Sequence, residues 1–174
     1  HIVNHTVRVH WIDLANVQSK KDLLNLIQEV LRTKGIFLGQ NFDESKWPEK
    51  EYPTKKELDD VSKDKPIFLL RIDGHMAIVN TGLIEKLKLP REVFKDFEKG
   101  IVVEDNVYLI VRSLINMYRL EPSSSALKDI LSLGIGVAAD MGSIIPPSDY
   151  LKKRLGQYVE TYFYYFIEKL EDLL

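Results

Sequence analysis

Between Pro66 and Asn80, two runs of strand length, Ile67-Phe68-Leu69-Leu70-Arg71-Ile72 and His75-Met76-Ala77-Ile78-Val79, are separated only by Asp73-Gly74. An Asp-Gly pair adopts the backbone angles of a tight turn readily, so the local solution is an antiparallel β-hairpin. A chain whose centre is committed to a hairpin cannot consist of parallel βα units alone. From Ala126 onward the pattern changes to helix, strand (135–139), helix (148–155), strand (159–166) and helix (167–174). That alternation belongs to a parallel α/β architecture. The switch falls near residues 119–125 and predicts an α/β protein in which an α+β domain is inserted into a barrel, although a single mixed domain fits the same pattern. The divisions expected are 1–34 as a barrel-proximal segment with the first helix, 35–120 as the insert, and 121–174 as βα units of the barrel.

Helix signals frame the hairpin. Ser19 precedes Leu23, Leu24, Ile27, Val30 and Leu31 at helical spacing, and Gly35 follows as a stop. Gly35 to Gly39 reads as a short buried strand, and Trp47-Pro48 to Tyr52-Pro53 as a polar, aromatic loop. Thr54 and Glu57 have capping-box spacing, which predicts a short helix ending near Asp60. A helix over 81–87 follows the hairpin, and the charged segment 91–99 reads as a solvated excursion. Gly100 to Glu104 is a third strand, with a helix behind it carrying Val107, Leu109, Ile110, Leu114 and Met117. The serines 123–125 cap the next helix, which Gly134 stops.

Composition removes several classes of function. The 174 residues are 45% hydrophobic, enough for a core of ordinary size. Lys and Arg total 24 against 26 for Asp and Glu. With that balance and no basic patch, nucleic acid is not an expected partner. The aromatic run Tyr162 to Phe166 has no interleaved cations and reads as a buried strand rather than a base-stacking platform. The absence of cysteine excludes disulfides and thiolate chemistry, leaving His, Asp and Glu to hold any metal. The longest uncharged apolar stretch, Ile130 to Ala139, is too short to span a bilayer, so no membrane partner is expected. With no basic stretch and apolar run at its start, the chain is expected in the cytoplasm. It does not begin with Met, so its start is expected to be an internal point of a longer protein.

A few positions bear on chemistry. His1, His5 and His10 supply the ligand type most used by catalytic zinc, but their spacings of four and five match no strand face, and a solvated terminus explains them equally. His75 follows the turn, where a side chain faces either a cleft or simply solvent. Asn80, at the end of the second strand, is placed to cap the helix that follows. Glu104 ends a strand and precedes a helix, a placement that suits an active-site carboxylate and also a helix cap, a role equally open to Asp105. Asp140 and Ser143 stand at the end of another strand, for catalysis or for turning the chain.

A wider pattern connects these positions. Trp47-Pro48, Pro53-Thr54 with Leu58-Asp59, Ser62 with Asp64 and Pro66, Arg71 with Asp73-Gly74-His75, and Val79-Asn80 occur in one order. Together they resemble the signature of the amidohydrolase superfamily, in the branch that includes N-substituted formamide deformylases and many metal-dependent hydrolases. Gly100 to Glu104 is similar to that branch's G-[LI]-[LV]-x-E, and Leu131 to Gly142 is similar to a later motif ending in D-M-G, with Gly136, Val137 and Ala139 departing from it. Thr81 stands where the family usually has Ser. The segment from His1 to Leu14 resembles the stretch that begins at the second histidine of a D-x-H-x-H motif.

The resemblance implies part of a (β/α)8 metallo-hydrolase barrel with an α+β inserted domain. It implies a divalent metal, zinc by preference, with His1 as one ligand, and hydrolysis of non-peptide C–N amide-type bonds by metal-activated water. His75, Glu104 and Asp140 become the substrate-facing residues, and a small amide-type molecule the partner, with self-association left open. The remaining ligands and the catalytic aspartate are expected outside this chain. The competing class is a stand-alone, non-catalytic binding or regulatory module derived from the insert, and cyclic amides or ureas are alternative substrates on the same barrel.

Overall fold

The computed structural model describes residues 8–118, 124–141 and 160–164. Its chain divides into two compact units: one runs from Trp11 to Ile110, and residues from Val111 onward belong to the other. Among the described residues, no helix is long and apolar enough to cross a membrane.

The first unit is a mixed six-stranded sheet. In chain order its elements are β1 (Ile12–Asp13), α1 (Lys20–Thr33), β2 (Phe37–Phe42), α2 (Lys55–Val61), β3 (Ile67–Arg71), β4 (Met76–Val79), α3 (Thr81–Leu87), β5 (Phe94–Asp96) and β6 (Ile101–Val103). The strands lie in the order β1-β2-β3-β4-β6-β5. β1, β2 and β3 are mutually parallel, whereas β4 is antiparallel to both β3 and β6. The hairpin read from Asp73-Gly74 is present. Its connection comprises four residues, because Ile72 gives its N–H to Phe42 of β2 (3.0 Å) and so leaves the hairpin ladder early.

Helix α1 is capped by the Ser19 hydroxyl, which accepts the Asp22 N–H, and it buries Leu23, Ile27 and Leu31. With Phe37, Leu69, Ile67 and Ile78 from the strands these residues form the core on one face of the sheet. Each fully buried aliphatic side chain contributes about 1.5–3 kcal/mol. All of Ile67, Phe68, Leu69 and Leu70 are buried, which accounts for the unbroken apolar run of β3: alternation disappears when both faces of a strand are covered. Thr54 and Glu57 form the expected capping box at the start of α2. Trp47 anchors the aromatic loop, giving its indole N–H to the Val17 carbonyl at 2.8 Å.

Residues 91–99 depart from the solvated excursion their charge predicts. Phe94 to Asp96 forms β5 on the outer side of β6, and the rings of Phe94 and Phe97 meet edge to face at 5.1 Å. Lys55 and Arg91 lie 4.0 and 4.7 Å from the centre of the Phe97 ring. Two cations, one of them from α2, therefore cover one ring of an aromatic pair, an attraction of ring face for cation that a charge count does not reveal. Gly100, just before β6, has φ +72°, and a Cβ there would stand 2.3 Å from the Val79 carbonyl oxygen, so this close approach requires glycine.

In the second unit, α4 (Asp105–Tyr118, whose first residues lie in the first unit) is followed by α5 (Ser124–Ser132), β7 (Val137–Met141) and β8 (Glu160–Tyr164). β7 and β8 pair in parallel from Val137↔Glu160 to Met141↔Tyr164, as strands of a parallel α/β architecture do. The first of these strands begins two residues later than predicted. The Leu133, Gly134 and Ile135 N–H groups turn back onto the last carbonyls of α5, with Gly134 at φ +77°, so Ile135 is consumed in ending the helix. The helices predicted over 148–155 and 167–174 lie outside the described residues.

Candidate functional site

The strand directions collect chemistry at one edge of the sheet. β6 runs with β3, so the carboxyl ends of β1, β2, β3 and β6 and the amino end of β4 share that edge. Asp13, Asn41, Glu44, Arg71, Asp73, His75 and Glu104 stand along it. Asn41, in the left-handed region at φ +66°, forms the bulge where β2 shifts register against β3, and its amide donates to Asp13 at 3.0 Å.

Arg71 organises the centre of this rim. Its Nε lies 3.1 and 3.0 Å from the two oxygens of Glu44, its Nη2 donates to Glu44 at 2.8 Å, and its Nη1 donates to Asp73. Glu44 is only 8% exposed, and a buried carboxylate is tolerated because the guanidinium fork satisfies it. The Glu44 carboxylate in turn holds the Arg71 pKa above its ordinary value, outweighing partial burial, with Asp73 adding to the effect. Partial burial alone would raise the Asp73 pKa, but the His75 N–H and the Arg71 guanidinium bring it below the usual aspartate range.

The turn itself delivers the histidine. Gly74 occupies φ +75° and gives its N–H to the Arg71 carbonyl, while Asp73 Oδ1 accepts the His75 N–H at 2.9 Å. His75 then stands opposite Glu104, one step beyond the paired residues Met76 and Val103. Their backbones are joined by a Glu104 N–H to His75 carbonyl hydrogen bond of 2.9 Å, and Nδ1 of His75 is 3.0 Å from Oε2 of Glu104. Both side chains are open to solvent, 58% and 68% exposed.

Two of the substrate-facing residues expected from sequence, His75 and Glu104, are thus in direct contact. Asp140, the third, is the fourth residue of β7 and pairs with Phe163. His1, the expected metal ligand, lies outside the described residues, as do His5 and Ser143; His10 is exposed. Asn80 is a helix cap, as its position predicts. Sequence reasoning did not assign roles to Arg71 and Glu44. The R-x-D-G-H spacing was the available signal for Arg71, since residues two apart at a strand end project to the same side. Nothing in the linear pattern points to Glu44, which lies 27 residues from its partner.

The sequence profile of the amidohydrolase family matches residues 1–140. The chain belongs to the amidohydrolase family. Among curated relatives, this amidohydrolase-family chain is 27% identical over 108 residues to a Bacillus subtilis (strain 168) protein named as amidohydrolase YtcJ, covering 60% of this chain and 20% of that protein. It is also 22% identical over 163 residues to the protein LONG AFTER FAR-RED 3 of Arabidopsis thaliana, covering 84% of this chain and 28% of the other. Two solved structures match, both uncharacterised metal-dependent hydrolases. The one from Pyrococcus horikoshii OT3 has a TM-score of 0.67 at 25% identity, with 95% of this chain and 35% of that one covered. The one from Pyrococcus furiosus has a TM-score of 0.63 at 26% identity, with 99% of this chain and 38% of the other covered. The chain spans between a fifth and two fifths of the length of these relatives.

For an amidohydrolase-family chain, the donor set at the rim bears on metal binding. A catalytic metal takes about three protein ligands and leaves one position open. Among the described residues, no group of three His, Asp or Glu side chains is arranged to hold an ion. The His75–Glu104 pair supplies two donors already engaged with each other, and Asp73 is engaged with Arg71. The rim does not fit a metal centre.

Proposed function

We propose that this chain is part of a metal-dependent hydrolase that cleaves non-peptide C–N amide-type bonds in small molecules, and that the His75–Glu104 rim faces the substrate. The observation that carries the reading is the likeness to metal-dependent hydrolases over almost the whole chain. The parallel β7–β8 pair supports a (β/α)8 barrel for the remainder, and in such barrels chemistry gathers at the carboxyl ends of the strands. The metal is zinc in this reading, with His1 as one of its ligands. Any ligand that this chain supplies is of the histidine or carboxylate type, because it has no cysteine, and catalytic zinc accepts both. The cytoplasm is the compartment proposed.

The contribution of the described residues is to bind and orient. The Arg71 fork fixes Asp73, Asp73 fixes the His75 backbone, and Glu104 fixes the imidazole, so a polar contact to substrate is set before the substrate arrives. The test is elemental analysis and a screen of small non-peptide amides on the longest natural polypeptide that contains these residues. Near-stoichiometric zinc and turnover lost on chelation are expected, with His75→Ala lowering kcat/KM. A natural full-length protein that takes up no divalent metal and hydrolyses none of the amides would sink the reading in favour of a binding module.

A further inference from the structure

His75 is held at three points. Its N–H is donated to Asp73 at 2.9 Å, its carbonyl accepts the Glu104 N–H at 2.9 Å, and its Nδ1 meets the Glu104 carboxylate at 3.0 Å. An ionised carboxylate only accepts, so the hydrogen between the two side chains belongs to Nδ1. In a neutral imidazole Nε2 is then bare and accepts hydrogen bonds. Nε2 has no hydrogen-bond partner among the described residues.

The backbone of Glu104 gives a second, independent indication. Its φ of +53° lies in the left-handed region, which glycine adopts without strain and a glutamate does not. This conformation turns the chain from β6 into α4, with the Val107 N–H returning to the Glu104 carbonyl at 2.9 Å. Glycine would make that turn more easily. The side chain kept there despite the strain is the one that holds His75, and strain of this kind collects where a residue has a task beyond folding.

We propose that Glu104 is a positioning residue for His75: it fixes the neutral imidazole as the Nδ1–H tautomer and presents Nε2 as a hydrogen-bond acceptor. The rim therefore selects ligands that bring an N–H or O–H to that atom. This substrate half rests on the hydrolase reading above, within which it favours amides that retain an N–H over their N,N-disubstituted counterparts. The tautomer half stands without it.

The tautomer is read from the ring ¹⁵N resonances of the longest natural polypeptide carrying labelled histidine, with H75A assigning the His75 signals. Wild type is expected to carry its proton on Nδ1. E104Q keeps an acceptor oxygen and is expected to keep that tautomer. E104G suits the backbone angle, retains the fold, and is expected to lose it. A proton on Nε2 in wild type, or an unchanged tautomer in E104G, overturns the proposal.

For the substrate half, H75A is expected to lower kcat/KM roughly 5- to 10-fold on an N-monosubstituted amide, the worth of one hydrogen bond to a ligand, and less than about 2-fold on its N,N-disubstituted counterpart. Equal losses on both overturn donor selection. Failure of wild type to hydrolyse either amide overturns the hydrolase reading and the substrate half with it, while the tautomer measurement still decides the dyad.

Discussion

The two ends of the β3–β4 hairpin carry polar clusters of similar size and opposite character. At the Asn80 end every polar atom of the side chain is spent inside the protein. Oδ1 accepts the N–H groups of Ile67 and Leu83 at 2.9 and 3.0 Å, and Nδ2 donates to the carbonyls of Ser62 and Lys65 at 2.7 and 2.9 Å. Asp59 beside it accepts both the N–H and the hydroxyl of Thr81, at 2.8 and 2.6 Å. Asn80 is fully buried. At the His75 end the groups are charged or titratable, most are solvent-facing, and Nε2 of the histidine is uncommitted among the described residues. A buried, saturated network specifies one packing of the chain. An open one retains hydrogen-bonding capacity for a ligand.

Substitutions should separate the two ends. Asn80→Ala would leave two backbone N–H groups and two carbonyls without partners in the interior, and a loss of about 3 kcal/mol of stability is expected from denaturant unfolding. A loss below about 1 kcal/mol would show that this end is not the structural one. Glu44→Ala removes the carboxylate that holds the Arg71 fork, with an expected cost of about 2 kcal/mol because the guanidinium stays partly buried. Glu44→Gln keeps an acceptor oxygen for the guanidinium and should recover part of it, and identical unfolding midpoints for the two variants would argue against the hydrogen-bonded fork. The smallest effect concerns Asp73. Its folded-state pKa is depressed, so its contribution is present above the ordinary aspartate value of about 3.9 and is lost as pH falls through the lower, folded value. Asp73→Asn should flatten that acid limb of the stability curve; an unaltered limb would show that its solvent exposure screens the pairing completely.

The same contrast explains what could be read in advance. The Asn80 end is written locally: Thr54 with Glu57, and Asn80 ahead of an apolar helix, each act over a few residues, and each element formed where its signal lay. His75 and Glu104 were individually recognisable from their places at strand ends. Their meeting was not, because it depends on β6 pairing with β4 across α3 and β5, and β5 was hidden by the charges around Phe94 and Phe97. Arg71 and Glu44 depend on the parallel pairing of β2 with β3, which no short-range pattern encodes. β1, two residues long, is below the length at which alternation gives any signal.

The short connection from Arg71 to Met76 works as a ruler between these ends. Side chains alternate along β4 with a period of two, so one residue added or removed in the connection would send every side chain of Met76–Val79 to the opposite face. The same slip would withdraw Asn80 from its four partners and carry His75 away from Glu104. A hairpin that both closes the interior and aims an imidazole has little freedom in length, and the polar character of this rim is open to change through exchange of side chains rather than through growth of the loop that bears them.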